Sequence, residues 1–244
     1  MRQAENAQDV QKRRLLAADD VAVNRTLLSA LFEDGFDILK AADSSFLTDE
    51  ISTAVEFRSY ESGTHLKRVR IFTRILLQEA VHDYPLSPTE IDLIARASAL
   101  HDIGKIAIPD SILTKPGKLT HEEYEIMKTH TTIGCEILSK LRFAEEPVDY
   151  RYCYDICRHH HERWDGKGYP DGLKGDEISI WAQAVSLADV YDALTSVRVY
   201  KEAYTPQKAR EMILAGECGV FNPRLLEYFA KVQHQLDVSL ELEN

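Results

Sequence analysis

From about residue 58 onward, apolar positions recur at three- and four-residue spacing, and no alternating run is long enough to build a sheet. Over residues 61–83, Leu66, Val69, Phe72, Leu76 and Ala80 form one stripe with Lys67, Arg68 and Arg70 off it, which predicts an amphipathic helix. Ser87-Pro88-Thr89-Glu90 supplies an N-cap, a first-turn proline and a capping-box glutamate for a helix expected to run to about Ile103. Thr120-His121-Glu122-Glu123 is a second capping box, opening a helix that would carry His130 in its middle and end near Leu141. A helix over 147–161 delivers His159, His160 and His161 to a loop, 165–172, that is too rich in glycine to be regular. Helices over 180–196, 206–216 and 223–238 complete the series. The first fifty residues differ in kind: a short apolar run at 14–18 stops at Asp19-Asp20, an amphipathic stretch leads to Phe32, and a second short run spans 36–40. That pattern predicts strand, helix, strand.

Composition narrows the class. A chain of 244 residues has room for one large domain, or one domain with a small appendage, and argues against two full-sized ones. With 44% hydrophobic and 28% charged residues it can bury a sizeable core, so a disordered or fibrous chain is excluded. A net charge of −11 disfavours a surface that coats long nucleic acid or an anionic membrane. A small anionic ligand stays open, because a few cations or metals reverse the field inside one cleft. No window approaches the ~20 apolar residues of a spanning helix, and residues 1–14 are polar where a signal peptide is apolar, so a cytoplasmic location is expected. Cys135, Cys153, Cys157 and Cys218 include no CxxC pair and read as buried small hydrophobes in a reducing compartment.

Histidine is the informative residue type, with nine in the chain and six of them between His65 and His161 singled out by position. His101 and Asp102 are adjacent, so imidazole and carboxylate can ligate neighbouring ions with the carboxylate bridging, and Lys105 one turn later can hold an anionic oxygen over them. Glu61 and His65 stand four residues apart, the helical separation that lets two side chains converge on one ion. His130, among Ile126, Met127 and Ile133, taken alone reads more readily as a satisfied core histidine than as a ligand, and His159-His160-His161 reads equally as a solvated cluster. Asp189 lies in a strongly apolar helix where an unpaired buried carboxylate is costly, which metal binding explains and N-capping does not.

Together these segments resemble the HD-GYP family, a subclass of the HD phosphohydrolases that degrade the bacterial messenger cyclic di-GMP. The resemblance runs from about Arg58 to Lys201, with a family-like helical tail to about residue 230. It rests on Glu61-Ser62-Gly63-Thr64-His65, His101-Asp102-Ile103-Gly104-Lys105, the Ile108-Pro109-Asp110 that follows, and Lys115-Pro116-Gly117-Lys118-Leu119-Thr120. Further along come His160-His161-Glu162, Asp165-Gly166-Lys167-Gly168-Tyr169-Pro170 and Ala188-Asp189-Val190-Tyr191-Asp192-Ala193-Leu194-Thr195-Ser196. It implies an all-α fold, an HD-domain helical bundle with a metal cleft over residues 51–244, preceded by a small receiver-like or helical segment over 1–50. Carried over residue by residue, it makes Glu61, His65, His101, Asp102, His130, His160, His161 and Asp189 the metal ligands, with Asp102 bridging. Eight ligands exceed what one ion needs and ask for two or three; members with a glutamate at the place of Glu61 resemble trinuclear sites. Mixed imidazole and carboxylate ligation suits iron, manganese or zinc; the family's usual choice is iron or manganese, with zinc, nickel or magnesium as alternatives.

The resemblance also implies that Lys105, Tyr169, Arg198 and Lys201 meet the ligand, although Arg198 and Lys201 by themselves read as an exposed basic helix end. His159 is the spare histidine, expected to support a ligand or face solvent. Two departures stand out: Ser59 replaces a common acid, and Val199 replaces the usual proline between Arg198 and Tyr200. The expected activity is hydrolysis of cyclic di-GMP to 5′-phosphoguanylyl-guanosine and onward to GMP, by a metal-activated hydroxide with Asp102 and Lys105 at the centre. Alternatives are a cyclic-dinucleotide sensor that signals to a protein partner through Gly168-Tyr169-Pro170, or a phosphohydrolase acting on another cyclic dinucleotide; a homodimer fits any of these. Residues 13–45 resemble the opening third of a response-regulator receiver domain, with Asp19 and Asp20 at its acidic pair, but the later strands with the phosphoacceptor do not follow.

Overall fold

The computed structural model describes residues 13–18, 36–41, 64–141, 147–196 and 203–242. The chain divides into two compact units, Met1–Glu50 and Ile51–Asn244. In the first, strands β1 (Arg13–Ala18) and β2 (Phe36–Ala41) pair in parallel, with Leu15 opposite Ile38. Parallel neighbours need a crossover of a dozen or more residues, and the 17 residues between these strands supply that length. The helix expected there lies outside the described residues, as do Asp19 and Asp20.

The described part of the second unit is helical. Its longer helices are α1 (Thr64–Ala80), α2 (Pro88–Ala97), α3 (His121–Lys128), α4 (His130–Leu141), α5 (Pro147–His159), α6 (Ile180–Thr195), α7 (Pro206–Leu214), α8 (Pro223–Lys231) and α9 (Gln233–Leu242), with a single helical turn at Asp110–Leu113 between α2 and α3. The two capping boxes form as expected: Ser87 Oγ accepts from the Glu90 amide, Thr120 Oγ1 from the Glu123 amide, and each glutamate reaches back to the cap amide. Among the described residues no helix is long and apolar enough to cross a membrane.

Three expected helices are shorter than their periodicity suggests. The helix begun at Pro88 stops at Ala97, where the chain tightens into a 3-10 turn, Ser98–Leu100, with Ser98 Oγ donating to the Ala95 carbonyl at 2.7 Å. Asp102 leaves helical geometry at φ −105° and opens a second 3-10 turn, Ile103–Ala107. His101 and Asp102 therefore sit between two tight turns and not at the end of one helix. The stretch over 121–141 breaks at Thr129, whose Oγ1 donates to the Ile126 carbonyl at 2.6 Å, so His130 opens α4 and is not mid-helix. The last helix divides at Val232 into α8 and α9.

The core lies where α1 packs along α6. Val69, Phe72, Leu76 and Leu77 of α1 and Ala184, Leu187, Ala188 and Tyr191 of α6 are buried, and Tyr191 sets its ring edge-on to both Phe72 and Phe229 at 5.3 Å. A second layer joins α4 to α5 and to the turn after Asp102. That approach needs glycine: a Cβ on Gly104 would stand 1.8 Å from the His130 carbonyl oxygen. Backbone thus touches backbone where the Asp102 turn meets the start of α4.

Candidate metal centre

Five places in the fold deliver the candidate ligands. His65 comes from α1, His101 and Asp102 from between the 3-10 turns, His130 from the first position of α4, His160 and His161 from just past α5, and Asp189 from α6. Donor atoms of Asp102, His130, His160 and His161 lie within 4.8 Å of one another, and so do those of His65, His101 and Asp102. Asp102 is common to both groups, and its two oxygens divide between them. Oδ1 is 3.2 Å from His130 Nε2 and 3.8 Å from His160 Nε2, whereas Oδ2 is 3.1 Å from His101 Nε2. Asp189 Oδ1, 3.7 Å from His65 Nε2 and 4.0 Å from His101 Nε2, joins the second group.

The outer nitrogens of these rings are committed. His101 Nδ1 donates to the Ser98 carbonyl at 2.8 Å, His130 Nδ1 to that of Met127 at 2.7 Å, and His160 Nδ1 to that of Ile156 at 3.0 Å. His65 Nδ1 donates to Asp192 Oδ2 at 2.6 Å. A carbonyl can only accept, so the proton sits on Nδ1 of His101, His130 and His160, and each Nε2 turns inward with a lone pair when its ring is neutral. His130 Nε2 and His160 Nε2 then face each other at 3.5 Å, an arrangement of two acceptors that a cation between them relieves. His101 Nε2 and Asp102 Oδ1 are buried with no hydrogen bond among the described residues, despite their close neighbours. Orphaned acceptors of this kind, in a mixed imidazole and carboxylate set, fit divalent metal ions.

The electrostatics agree. Burial pushes the His130, His160 and His161 imidazoles down, so they are neutral and able to ligate at pH 7. Burial also works against charge on His101, but Asp102 and Asp189 outweigh it and raise it to about 9, so the carboxylates around this ring favour positive charge beside them. Asp102 is held well below the usual carboxylate range: burial opposes this, and Lys105 and His101 prevail. Lys105 Nζ lies 2.7 Å from Asp102 Oδ2, at the position from which an ammonium can meet an anionic ligand.

Some expected residues fall elsewhere. Glu61, Arg198 and Lys201, with the departures Ser59 and Val199, lie outside the described residues. Asp189 is less enclosed than its apolar helix suggests, with its side chain 19% exposed. His159, expected to support a ligand or face solvent, is half-buried and paired: its Nδ1 meets Asp155 at 2.7 Å and its Nε2 meets Asp171 of the glycine-rich loop at 3.0 Å. Arg68, expected off the apolar stripe, is buried, and it donates through Nε to Asp192 Oδ1 and through an Nη to Ser196 Oγ at 2.8 Å. Asp192 and Arg68 form the support that orients His65, which sequence reasoning missed. The available signal was spacing, since Arg68 follows His65 by three residues and Asp192 follows Asp189 by three. Glu162, for which the sequence suggests no role, accepts through Oε1 from the amides of Asp171 and Gly172 at 2.7 and 3.0 Å and so shapes the loop that carries Tyr169.

The profile of the HD domain family matches residues 59–224. The chain belongs to the HD domain family. Within it, the motif series is that of the HD-GYP branch. The HD domain of this chain is 43% identical over 184 residues to a 3′3′-cGAMP-specific phosphodiesterase 2 of Vibrio cholerae, covering 75% of this chain and 34% of that protein. It is 40% identical over 189 residues to the cyclic di-GMP phosphodiesterase response regulator RpfG of Xanthomonas campestris, covering 77% and 47%. A cyclic di-GMP phosphodiesterase of Thermotoga maritima is 41% identical over 181 residues, 74% of this chain and 47% of that one. The chain thus spans about a third to a half of the length of the curated relatives it matches. Among solved structures, the HDG"Y"P protein Bd1817 of Bdellovibrio bacteriovorus superposes with a TM-score of 0.53 at 15% identity over 90% of this chain and 69% of that one. A cyclic GMP-AMP specific phosphodiesterase of V. cholerae gives 0.55 at 19% identity over 82% and 53%. At such identities these structures speak for the fold.

Proposed function

We propose that this HD domain is a metal-dependent phosphodiesterase that hydrolyses a cyclic dinucleotide, cyclic di-GMP, to the linear 5′-phosphoguanylyl-guanosine and onward to GMP. The observation that carries the reading is Asp102, whose two oxygens face separate histidine groups and so suit a carboxylate shared between two ions. His130, His160 and His161 would hold one ion with Asp102, and His65, His101 and Asp189 the other; Glu61 would extend the set to a third. Iron or manganese fits these donors best, with zinc, nickel or magnesium as alternatives. When bound, such ions lower the pKa of a coordinated water so that hydroxide exists at neutral pH, and they offset charge on phosphoryl oxygens.

The chain's own residues supply the rest. Lys105 places its ammonium beside Asp102, where it can donate to a phosphoryl oxygen as negative charge builds there. Tyr169, stacked on His161 at 4.7 Å, would line the ligand's approach on that side. Arg198 and Lys201 would grip the phosphates or guanines from beyond α6. The names of the relatives support both cyclic di-GMP and 3′3′-cGAMP as substrate class, so the mixed dinucleotide is the second candidate.

The test is turnover of cyclic di-GMP and 3′3′-cGAMP by the purified chain loaded with manganese or iron, read by product chromatography alongside metal analysis. The expected result is linear dinucleotide from the native chain, and neither turnover nor a full metal complement from His101→Ala. Tight binding of the dinucleotide with no product under any metal would replace the enzyme with a sensor.

A further inference from the structure

Outside the ligand set, aromatic character continues from the metal centre toward the surface. His161 stacks on Tyr169 with ring planes 27° apart, and Tyr169 meets Tyr124 edge to face at 6.4 Å. Lys128 Nζ stands 5.6 Å from the centre of the Tyr124 ring and 5.7 Å from that of Tyr169, so one ammonium caps both rings. Helix α3, which carries Tyr124 and Lys128, buries none of its residues, and Tyr124 is 47% exposed. A single exposed aromatic needs no explanation. A ladder that begins at a candidate metal ligand, ends at an open ring and is spanned by a cation has the composition of a nucleobase site.

Position supports the same conclusion. Thr129 alone separates Lys128 from His130, the Met127 carbonyl just before Lys128 fixes the His130 ring, and that ring meets Tyr169 edge-on at 6.4 Å. A phosphodiester drawn to Asp102 and His130 therefore brings whatever it carries into reach of α3. Lys128 also contacts Glu125 Oε1 at 2.7 Å, which leaves further ammonium protons to donate. Guanine presents two adjacent acceptors, O6 and N7, on one edge, whereas adenine presents an N6 donor beside N7, so a lysine donor favours guanine.

We propose that Tyr124 and Lys128 form a shelf for one base of the bound cyclic dinucleotide, Tyr124 by stacking and Lys128 by donating to the guanine edge. The inference deepens the phosphodiesterase reading and rests on it. Aromatic stacking on a base is sequence-tolerant and strong enough to read as about tenfold in affinity, and the lysine supplies the preference. Tyr124 and Lys128 act in binding and leave the chemical step to the metal centre.

The test compares the native full chain with Tyr124→Ala, Tyr124→Phe and Lys128→Met, using cyclic di-GMP and cyclic di-AMP as probes. Two readouts are taken: KM and kcat with manganese, and the dissociation constant of the metal-free protein by calorimetry. Tyr124→Ala is expected to raise KM and the dissociation constant for cyclic di-GMP about tenfold with kcat within twofold, and Tyr124→Phe to restore both. Lys128→Met is expected to shrink the preference for cyclic di-GMP over cyclic di-AMP by about fivefold or more. Turnover by the native chain with unchanged KM in Tyr124→Ala would overturn the shelf alone. A native chain that neither binds nor hydrolyses either probe would overturn the phosphodiesterase reading and the shelf with it.

Discussion

Asp192 lies beyond the candidate ligands and still governs one of them. It accepts from His65 Nδ1 and from Arg68, and burial, which would raise its carboxyl, loses to these two partners, so it stays ionised. Such a partner fixes a ring's orientation and strengthens its Nε2 as a donor, and its loss typically costs 10–100-fold in metal affinity. Asp192→Asn is therefore expected to weaken metal retention by about that factor, with the loss concentrated at the His65, His101 and Asp189 group. Because the change also leaves Arg68 without its counter-charge, Asp192→Asn with Arg68→Met is the control that separates ring orientation from destabilisation. Titration with manganese followed by metal analysis checks it, and two unaltered binding steps would remove the role assigned to Asp192. At this scale the sequence was informative where spacing singled a residue out, as for His65 four residues after Glu61 and His101 beside Asp102, whereas His130, His160 and His161 became candidates only through the family resemblance. Asp192, Arg68 and Glu162 were singled out by neither, because acids and arginines have many surface uses and only the fold turns these inward.

Among the elements, the loop over 165–172 is the one whose position depends on side chains far from the ligands. His159 joins Asp155 of α5 to Asp171 of the loop, and Asp155 also accepts from Trp181 Nε1 at 2.5 Å and from Ser179, the N-cap of α6. Burial raises the Asp155 carboxyl and lowers the His159 imidazole, but in each case the partners win: Asp155 ends below its ordinary value and His159 above it. A depressed carboxyl contributes stability above its unfolded pKa and loses it as pH falls through the folded one. A raised imidazole contributes below its unfolded pKa and loses it as pH rises through the folded one. The native chain should therefore exceed Asp155→Asn in stability by about 1–3 kcal/mol between roughly pH 4 and 6.5, the gap narrowing on both sides. Melting temperatures of the two proteins across pH 3–9 check this; parallel curves would contradict it. Element types were legible because capping boxes and apolar spacing are local signals. The breaks at Ser98 and Thr129 were not, because the apolar spacing runs on through both and records the burial of side chains, not the tightening of the main chain into a turn.

Over the whole molecule, the candidate ligands arrive from α1, the turns about Asp102, α4, the end of α5 and α6, so ions would tie together segments distant in sequence. Anything that binds the folded state alone stabilises it by mass action, about 2.7 kcal/mol at a hundredfold excess over Kd, or roughly 5–10 °C for a domain of this size. Chelation is expected to lower Tm by that order, manganese to restore it, and His101→Ala to abolish the difference. A Tm indifferent to chelator in a chain shown to hold metal would mean that the ions do not join these elements. The helical class and the order of helices followed from the sequence. What did not follow is which segments touch, and the clearest example is Gly104 against the His130 carbonyl.

That contact sets the interval between the two halves of the centre. Side chains around it can be exchanged, and the hydrogen bonds that hold them go with them, but a seam of main chain against main chain stays whatever the side chains are. The spacing across Asp102 behaves like the jaws of a fixed gauge. Metal preference in chains built this way would then be altered by changing which atoms line the jaws, since the opening itself does not adjust.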